Sequence, residues 1–312
     1  MAIMMTRRYE DAAHRAVAWL LERQRPDDLA CHYKSPAVLG LAGHPREARA
    51  ALEEVVARFG TADGDFATAE GVKSRNAIFD EFWSYPNGWI ALAAQRLGRF
   101  GVARGSYEHL LGYRAPDGGF RSNGSAATEP DVLSTAHLGL VALQLGDLGT
   151  ARAAGLWLSR FLAAGPERGR EFLLRANGTG PLEVLSTGAP DQPYFMIGYP
   201  IGFLAKLHDA TGSADVLATA EGFADYALRC GDNLRSCQLS HKVAWGAALL
   251  ARATGTRCYV ELATDIAEHL LAVQAADGSW SPGAPDVTTF DDTAEIAHWL
   301  LEITAELPPP SG

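Results

Sequence analysis

The sequence predicts an all-α protein, a single (α/α)6 toroid over residues 1–312. Three observations predict it. Apolar residues recur at helical spacing in about twelve segments. Two kinds of segment alternate: one amphipathic and charged, the other small, apolar and suited to burial all round. The buried kind begins with polar and aromatic clusters, and similar helix–turn–helix edges recur along the chain. About six hairpins without polar capping repeats close more naturally into a ring than into an open solenoid. The polar helix starts would then collect at one mouth of a central cavity.

Residues 8–24 place Tyr9, Ala12, Ala13, Ala16, Val17, Leu20 and Leu21 on a first helix, which Arg25-Pro26 ends. Cys31-His32-Tyr33-Lys34 leads into a small-residue run to Gly43, and Pro45 suits the first turn of the next helix. After Gly60 a polar loop runs to about Arg75. The cluster Phe79-Asp80-Glu81-Phe82-Trp83-Ser84-Tyr85 enters a helix expected to continue past Pro86 to Leu97. Further helices are expected over 101–113, from Asp131 to about Leu145, and over 149–163.

The segment from 165 to 191 breaks the pattern. Glu171–Arg175 and Leu182–Leu185 flank Asn177-Gly-Thr-Gly180, which predicts a small β-hairpin insertion near 170–186. An insertion of this length in a compact helical domain is commonly functional, here as a lid. The glycine turn is not a phosphate loop, since no lysine follows it. Helices resume from Tyr194, over 214–229, from Ser236 through Trp245, and over 258–275. The tail Pro308–Gly312 is expected to fray.

Composition narrows the function. Hydrophobic residues make up 47% of the chain, enough for a large core, and a net charge of −10 excludes a general nucleic-acid binder. No stretch is apolar for the roughly 20 residues a membrane span needs. The N-terminal apolar run is short and precedes Arg7-Arg8, unlike a signal peptide. Cys31, Cys230, Cys237 and Cys258 are sparse, which suits reduced thiols in the cytoplasm. A small-molecule substrate is expected, with no cofactor and no metal.

Gln274-Ala-Ala-Asp-Gly-Ser-Trp280 resembles the QW repeat of the squalene-hopene cyclase and class II terpene cyclase superfamily, and Arg114-Ala-Pro-Asp-Gly-Gly-Phe120 is similar to a degenerate copy. Thr289-Phe-Asp-Asp-Thr-Ala294 is similar to the acidic DxDD-Thr-Ala signature of that superfamily, and Pro130–Ala136 to an eroded relative of the same helix start. The resemblance implies a toroid and places the family's acid on Asp291, with Asp292 beside it. Thr289 stands where the family has its first Asp, and the chain has room for one of the two helical domains usual in full-length cyclases. Six-hairpin toroids also resemble carbohydrate-active groups, without a specific motif match.

Read by their own chemistry, Asp291 and Asp292 at a helix start suit capping of free N–H groups. Equally, two adjacent carboxylates in a shielded cavity share a proton, leaving a general acid near neutral pH. Glu295 and His298 follow at i+4 and i+7, with His298 placed to tune the acid. Asp291-Asp-Thr-Ala-Glu295 also fits a DDxxE Mg²⁺ pattern, and Cys230, Cys237 and His241 a zinc set; neither has a second supporting motif. Asp80 or Glu81 would supply a second carboxylate. His32, Lys34, Trp83, Tyr85, Asp131, His137, Tyr194, Tyr199, His241, Trp245 and Glu295 are expected to line the cavity mouth, the aromatics stabilising cations. The leading expectation is a cyclase that protonates an isoprenoid- or polyene-like substrate through Asp291. The alternatives are a glycoside hydrolase or sugar epimerase with Asp80 and Asp291 bracketing a sugar bond, and a non-catalytic binding toroid.

Overall fold

The computed structural model describes residues 2–165, 167–168, 171–176, 178 and 183–307. Among them, fourteen α-helices follow in order: α1 (Ala2–Glu22), α2 (Ser35–Leu41), α3 (Pro45–Phe59), α4 (Ile78–Glu81), α5 (Tyr85–Arg96), α6 (Phe100–Leu111), α7 (Val132–Gln144), α8 (Leu148–Ala163), α9 (Phe195–Thr211), α10 (Ala214–Arg229), α11 (Gly231–Arg235), α12 (His241–Thr254), α13 (Arg257–Ala272) and α14 (Asp286–Glu306). Helices α2, α5, α7, α9, α12 and α14 each touch the next, and α14 returns to α2, closing an inner ring. The outer helices α1, α3, α6, α8, α10 and α13 each pack on an inner one. The architecture is the expected all-α toroid.

The alternation of helix types has a simple cause. An inner helix faces neighbours on every side, so it carries no polar stripe. In α7 every residue from Val132 to Ala142 is buried, and in α12 every residue from His241 to Ala251. Inner helices also approach closely where glycine allows it. A Cβ on Gly198 of α9 would lie 2.4 Å from the Lys242 carbonyl carbon of α12. That contact sets where Lys242 emerges into the ring.

The QW-like stretch joins the end of the chain to its beginning. Asp277 accepts from the Ser279 N–H (3.1 Å) and from the Trp19 indole of α1 (3.0 Å), while the Trp280 N–H donates to Thr293 Oγ1 (3.0 Å) in α14. The degenerate copy repeats the device one third of the way along the chain. Asp117 accepts from the Gly119 N–H (3.1 Å) and the Trp157 indole (2.9 Å), and the Phe120 N–H donates to Thr135 Oγ1 (2.9 Å). Ala62-Asp63-Gly64-Asp65-Phe66 is a third copy that sequence reading missed. In each, the glycine has positive φ (85°, 97° and 93° at Gly64, Gly118 and Gly278). In each, a Cβ would meet a backbone carbonyl of an outer helix, at Gly105, Ala153 and Arg15 respectively. Glycine is required twice over: for the left-handed backbone and for the close approach.

Two local expectations are corrected. The helix past Pro86 is present as α5 with Pro86 in its first turn, but the aromatic-acidic stretch before it is not continuous with it: Phe82, at φ −100° and ψ 56°, separates α4 from α5. Pro86 has no N–H to give the Phe82 carbonyl, which accepts from the Tyr85 N–H instead (3.2 Å). Helix α12 starts at His241, not Ser236, after α11 and a 3₁₀ turn at Gln238–Ser240. The hairpin is present as β2 (Glu171–Leu173) paired antiparallel with β3 (Val184–Ser186), after an additional edge strand, β1 (Glu167–Arg168). Its turn, apart from Gly178, lies outside the described residues, as does the Pro308–Gly312 tail. No described helix is long and apolar enough to cross a membrane.

Candidate active site

Inside the ring, at the N-terminal ends of the inner helices, lies a cavity of about 380 Å³. One wall is apolar: Ile78, Phe79, Phe82, Leu133, Pro193, Phe195 and Leu239. The rest of the lining is polar or charged: Asp291, Asp292, Glu295, His241 and Lys242, with Asn76, Asp191, Thr288 and Tyr85.

Glu295 is the hub. Its carboxylate lies 2.5 Å from Lys34 Nζ and 2.5 Å from Lys242 Nζ, and accepts from Tyr85 Oη (2.6 Å) and the Trp299 indole (3.2 Å). Burial opposes its ionisation, but Lys242, Lys34 and His241 together outweigh that and hold its pKa well below the ordinary value. Lys34 also lies 2.9 Å from Asp291 Oδ1. Burial would discharge Lys34, yet Asp291 and Glu295 hold its pKa up. Lys242 lacks that second carboxylate. Burial, with repulsion from Lys34, pulls it down to about 8 against the attraction of Glu295.

Asp291 is pushed up to about 6, by burial first and then by the charges of Glu295 and Asp292, against the pull of Lys34. Asp292 is also raised by burial, opposed by its bond from Ser281. Its Oδ2 accepts from Gln238 Nε2 as well (3.2 Å). The cluster around Glu295 therefore holds three carboxylates against two ammonium groups. Glu295 keeps its charge, so the imbalance of one falls on the Asp291–Asp292 pair and raises its affinity for a proton. Gln238 and Ser281 stabilise Asp292 as the acceptor, which leaves the proton to Asp291.

The other expected residues divide. His241 lines the cavity; its Nδ1 donates to the Gln238 carbonyl (2.9 Å), leaving the Nε2 lone pair 3.2 Å from Lys242 Nζ. Both ring nitrogens are thus engaged away from Cys230 and Cys237, and among the described residues no three His, Cys, Asp or Glu side chains converge as metal ligands. The two ammonium groups on Glu295 also take the place a DDxxE metal would fill. His137 and Tyr199 back the cavity without lining it: His137 Nε2 donates to the Tyr85 carbonyl (3.1 Å), and its ring packs against Tyr85 and Tyr199.

Several expectations are overturned by side-chain direction. Asp80 is exposed on α4 and does not line the cavity. Glu81 turns to Arg175 (2.8 Å) and Ser122 (2.7 Å). Trp83 donates its indole N–H to Asp65 (2.9 Å), outside the cavity. Asp131 caps α7 through the Ser134 N–H (2.8 Å) and faces Arg175 (3.4 Å). Tyr194 donates to the Ala189 carbonyl (2.7 Å). His32 faces Pro26 and Glu54 on the outside of the ring. His298 does not reach Asp291. It sits deeper, between Trp89 and Trp299, 3.9 Å from Glu302, beside Trp245 in a second cavity of about 20 Å³. Seven residues along a helix rise about 10 Å, so a shared face is not a shared depth.

Lys242 lines the cavity, as its place beside His241 at an inner-helix start suggests, whereas Gln238, Ser281 and Phe195 were not among the expected site residues. Lys242 carried a further signal. Only four residues are lysine among 27 cationic ones, and none of the four is exposed.

No family model matches the chain, and no curated protein is similar to it in sequence. Solved structures share its fold. A protein from Actinoplanes is 17% identical, with 95% of this chain and 99% of that one covered at a TM-score of 0.62. The type II terpene cyclase MstE from Scytonema, bound to its substrate geranylgeranyl dihydroxybenzoate, is 14% identical, with 98% and 100% covered at 0.62. The GH76 α-mannanase BT2949 of Bacteroides thetaiotaomicron is 14% identical, with 89% and 84% covered at 0.60. The chain thus has the α/α toroid fold found in type II terpene cyclases and in toroid sugar enzymes.

Proposed function

We propose that the protein is a cyclase that protonates a hydrophobic, isoprenoid- or polyene-like substrate, with Asp291 as the general acid. The observation that carries this reading is a buried carboxyl pair, Asp291 and Asp292, in a cavity lined by aromatic side chains, with Asp291 pushed up to about 6. A carbon–carbon double bond is a poor base, so its protonation needs an acid kept neutral and dry. Burial and the surplus carboxylate raise the pKa of Asp291 to about 6, which makes its protonated form available on the acid side of neutrality. Transfer of that proton to the terminal alkene carbon leaves a carbocation. The faces of Phe79, Phe82, Tyr85 and Phe195 line the cavity where that charge develops, and aromatic faces attract cations. Asp292 keeps the tuning role expected of it, and Lys34 and Glu295 take the one expected of His298.

The sugar-enzyme reading named Asp80 as the partner of Asp291, and Asp80 lies outside the cavity. Farnesol and geranylgeraniol are suitable test substrates, with products separated by gas chromatography and mass spectrometry. Asp291→Asn should lower turnover by about 10²-fold or more, the usual loss when a positioned acid is removed, and keep the helical circular dichroism. Unchanged turnover in that variant would refute the mechanism.

A further inference from the structure

Lys242 does more in this wall than balance charge. Its amine lines the cavity and has a neutral base beside it, His241 Nε2 at 3.2 Å. The Gln238 carbonyl, 2.9 Å from Nδ1, fixes the tautomer that leaves Nε2 free to accept. A nucleophile, a base in hydrogen-bond reach and a third group orienting that base form the usual constellation of an activated nucleophile. We propose that Lys242 is a reactive amine that forms an imine with hydrophobic aldehydes entering the cavity.

The proton has somewhere to go. It passes from the Lys242 ammonium to His241 Nε2, and Glu295, 2.5 Å from Lys242 Nζ and 3.8 Å from His241 Nε2, stays the counter-ion throughout. The freed lone pair attacks the aldehyde carbon, the C=O π pair moves to oxygen, and the imidazolium protonates that oxygen, after which His241 takes the extra proton from nitrogen to give a carbinolamine. The imidazolium then protonates the hydroxyl as it leaves as water and the nitrogen lone pair forms the C=N bond, so ammonium and aldehyde yield a protonated imine, paired with Glu295, plus one water. No oxidant or reductant takes part.

Two other buried lysines serve as internal controls. Lys34 lies between Asp291 and Glu295 and does not line the cavity. Lys73 is also pulled down to about 8, by burial, but it is held between Asp65 and Asn87 away from the cavity. Reactivity that followed basicity alone would mark Lys73 too; reactivity that follows the cavity marks Lys242 alone. The groups facing Lys242 Nζ are Glu295, Lys34, His241, Asp291 and the rings of Tyr85, Tyr199 and Phe195.

The test is reductive trapping. The full chain is incubated with citral, a branched unsaturated aldehyde, and sodium borohydride is added to reduce any imine to a stable secondary amine. Four lysines and the N-terminus make the peptide map unambiguous. One adduct on the Lys242 peptide is expected, with its loss in Lys242→Arg and an about tenfold or greater slowing in His241→Gln. Equal labelling of Lys34, Lys73 or Lys206, or labelling at the N-terminus alone, overturns the proposal. So does the absence of any adduct. The wild-type map needs no variant to fold and no cyclase turnover, so its failure is distinct from failure of the acid mechanism.

Discussion

Lys34 and Asp291 stand 2.9 Å apart across the ring seam, although 257 residues separate them in the chain. The first inner helix and the last meet there, and their contact both closes the toroid and tunes the acid.

Replacing Lys34 with Met should therefore have two effects. It removes one ammonium from a buried cluster of carboxylates, which typically costs about 3–5 kcal/mol of stability. Lys34 also holds the pKa of Asp291 down against burial. Its loss should move the midpoint of the acid's pH–rate curve upward from about 6. A urea melt and a pH–rate profile of the same variant check the two; a lost melt midpoint with an unmoved acid limb would place Lys34 outside the acid's field.

The pH dependence of stability follows from the two carboxylates with opposite shifts. The folded-state pKa of Asp291, about 6, is above its ordinary 3.8. Its contribution is full below the ordinary value and is lost as pH rises through about 6, an effect of roughly 3 kcal/mol. Glu295 is depressed, so its contribution is present above its ordinary 4.5 and fades as pH falls through the lower value. The stability of wild type relative to Asp291→Asn should thus decline between about pH 4 and pH 7. Turnover, which needs the protonated acid, should fall over the upper part of the same range. Denaturant midpoints across that range, read beside the rates, test both signs.

His298 should behave as a packing residue. Its ring fills space between Trp89 and Trp299, at centroid distances of 4.8 and 4.9 Å. Truncation to Ala should cost roughly 2–4 kcal/mol by leaving a cavity. The acid limb of the rate profile should stay where it is. A shifted limb would restore His298 to the catalytic group.

Ring closure can be tested at Gly278. Alanine there meets both a φ of 93° and a carbonyl, Arg15 O, at 2.7 Å. Gly43 has a similar φ, 84°, with nothing near its missing Cβ. Gly278→Ala should destabilise by about 2–4 kcal/mol and Gly43→Ala by about 1. Thermal melts of the pair separate backbone strain from the clash that would part α1 from the turn before α14.

Arg175 should fasten the β-insertion. It pairs with Glu81, Asp131 and Glu183 at 2.8, 3.4 and 2.5 Å. Asp131 is buried, and its burial pushes its pKa up against the pull of Arg175. Arg175→Met should leave Asp131 unpaired and speed proteolytic cleavage within the insertion several-fold, while sites in α12 stay protected.

Much of this was legible from the residues alone. Helical period, small-residue helices and glycine turns are local properties, and they determined twelve paired helices and a ring. The Asp-Gly-aromatic turns were legible because each recruits its partners by a short local geometry, Asp277 to Ser279 and Asp117 to Gly119. Asp291 and Asp292 stood out because paired carboxylates in a buried helix are costly without a purpose. Which side chains meet was decided only by tertiary structure. Glu295 takes its partners from Lys34, Tyr85 and Lys242, on three other parts of the ring, and no local pattern encodes that meeting. Trp83 and Asp80 lie in the densest aromatic-acidic stretch, yet the break before Pro86 turns both away from the cavity. Periodicity gives a side chain its face on a helix; the depth it reaches, and the charge it finds there, come from how the ring closes.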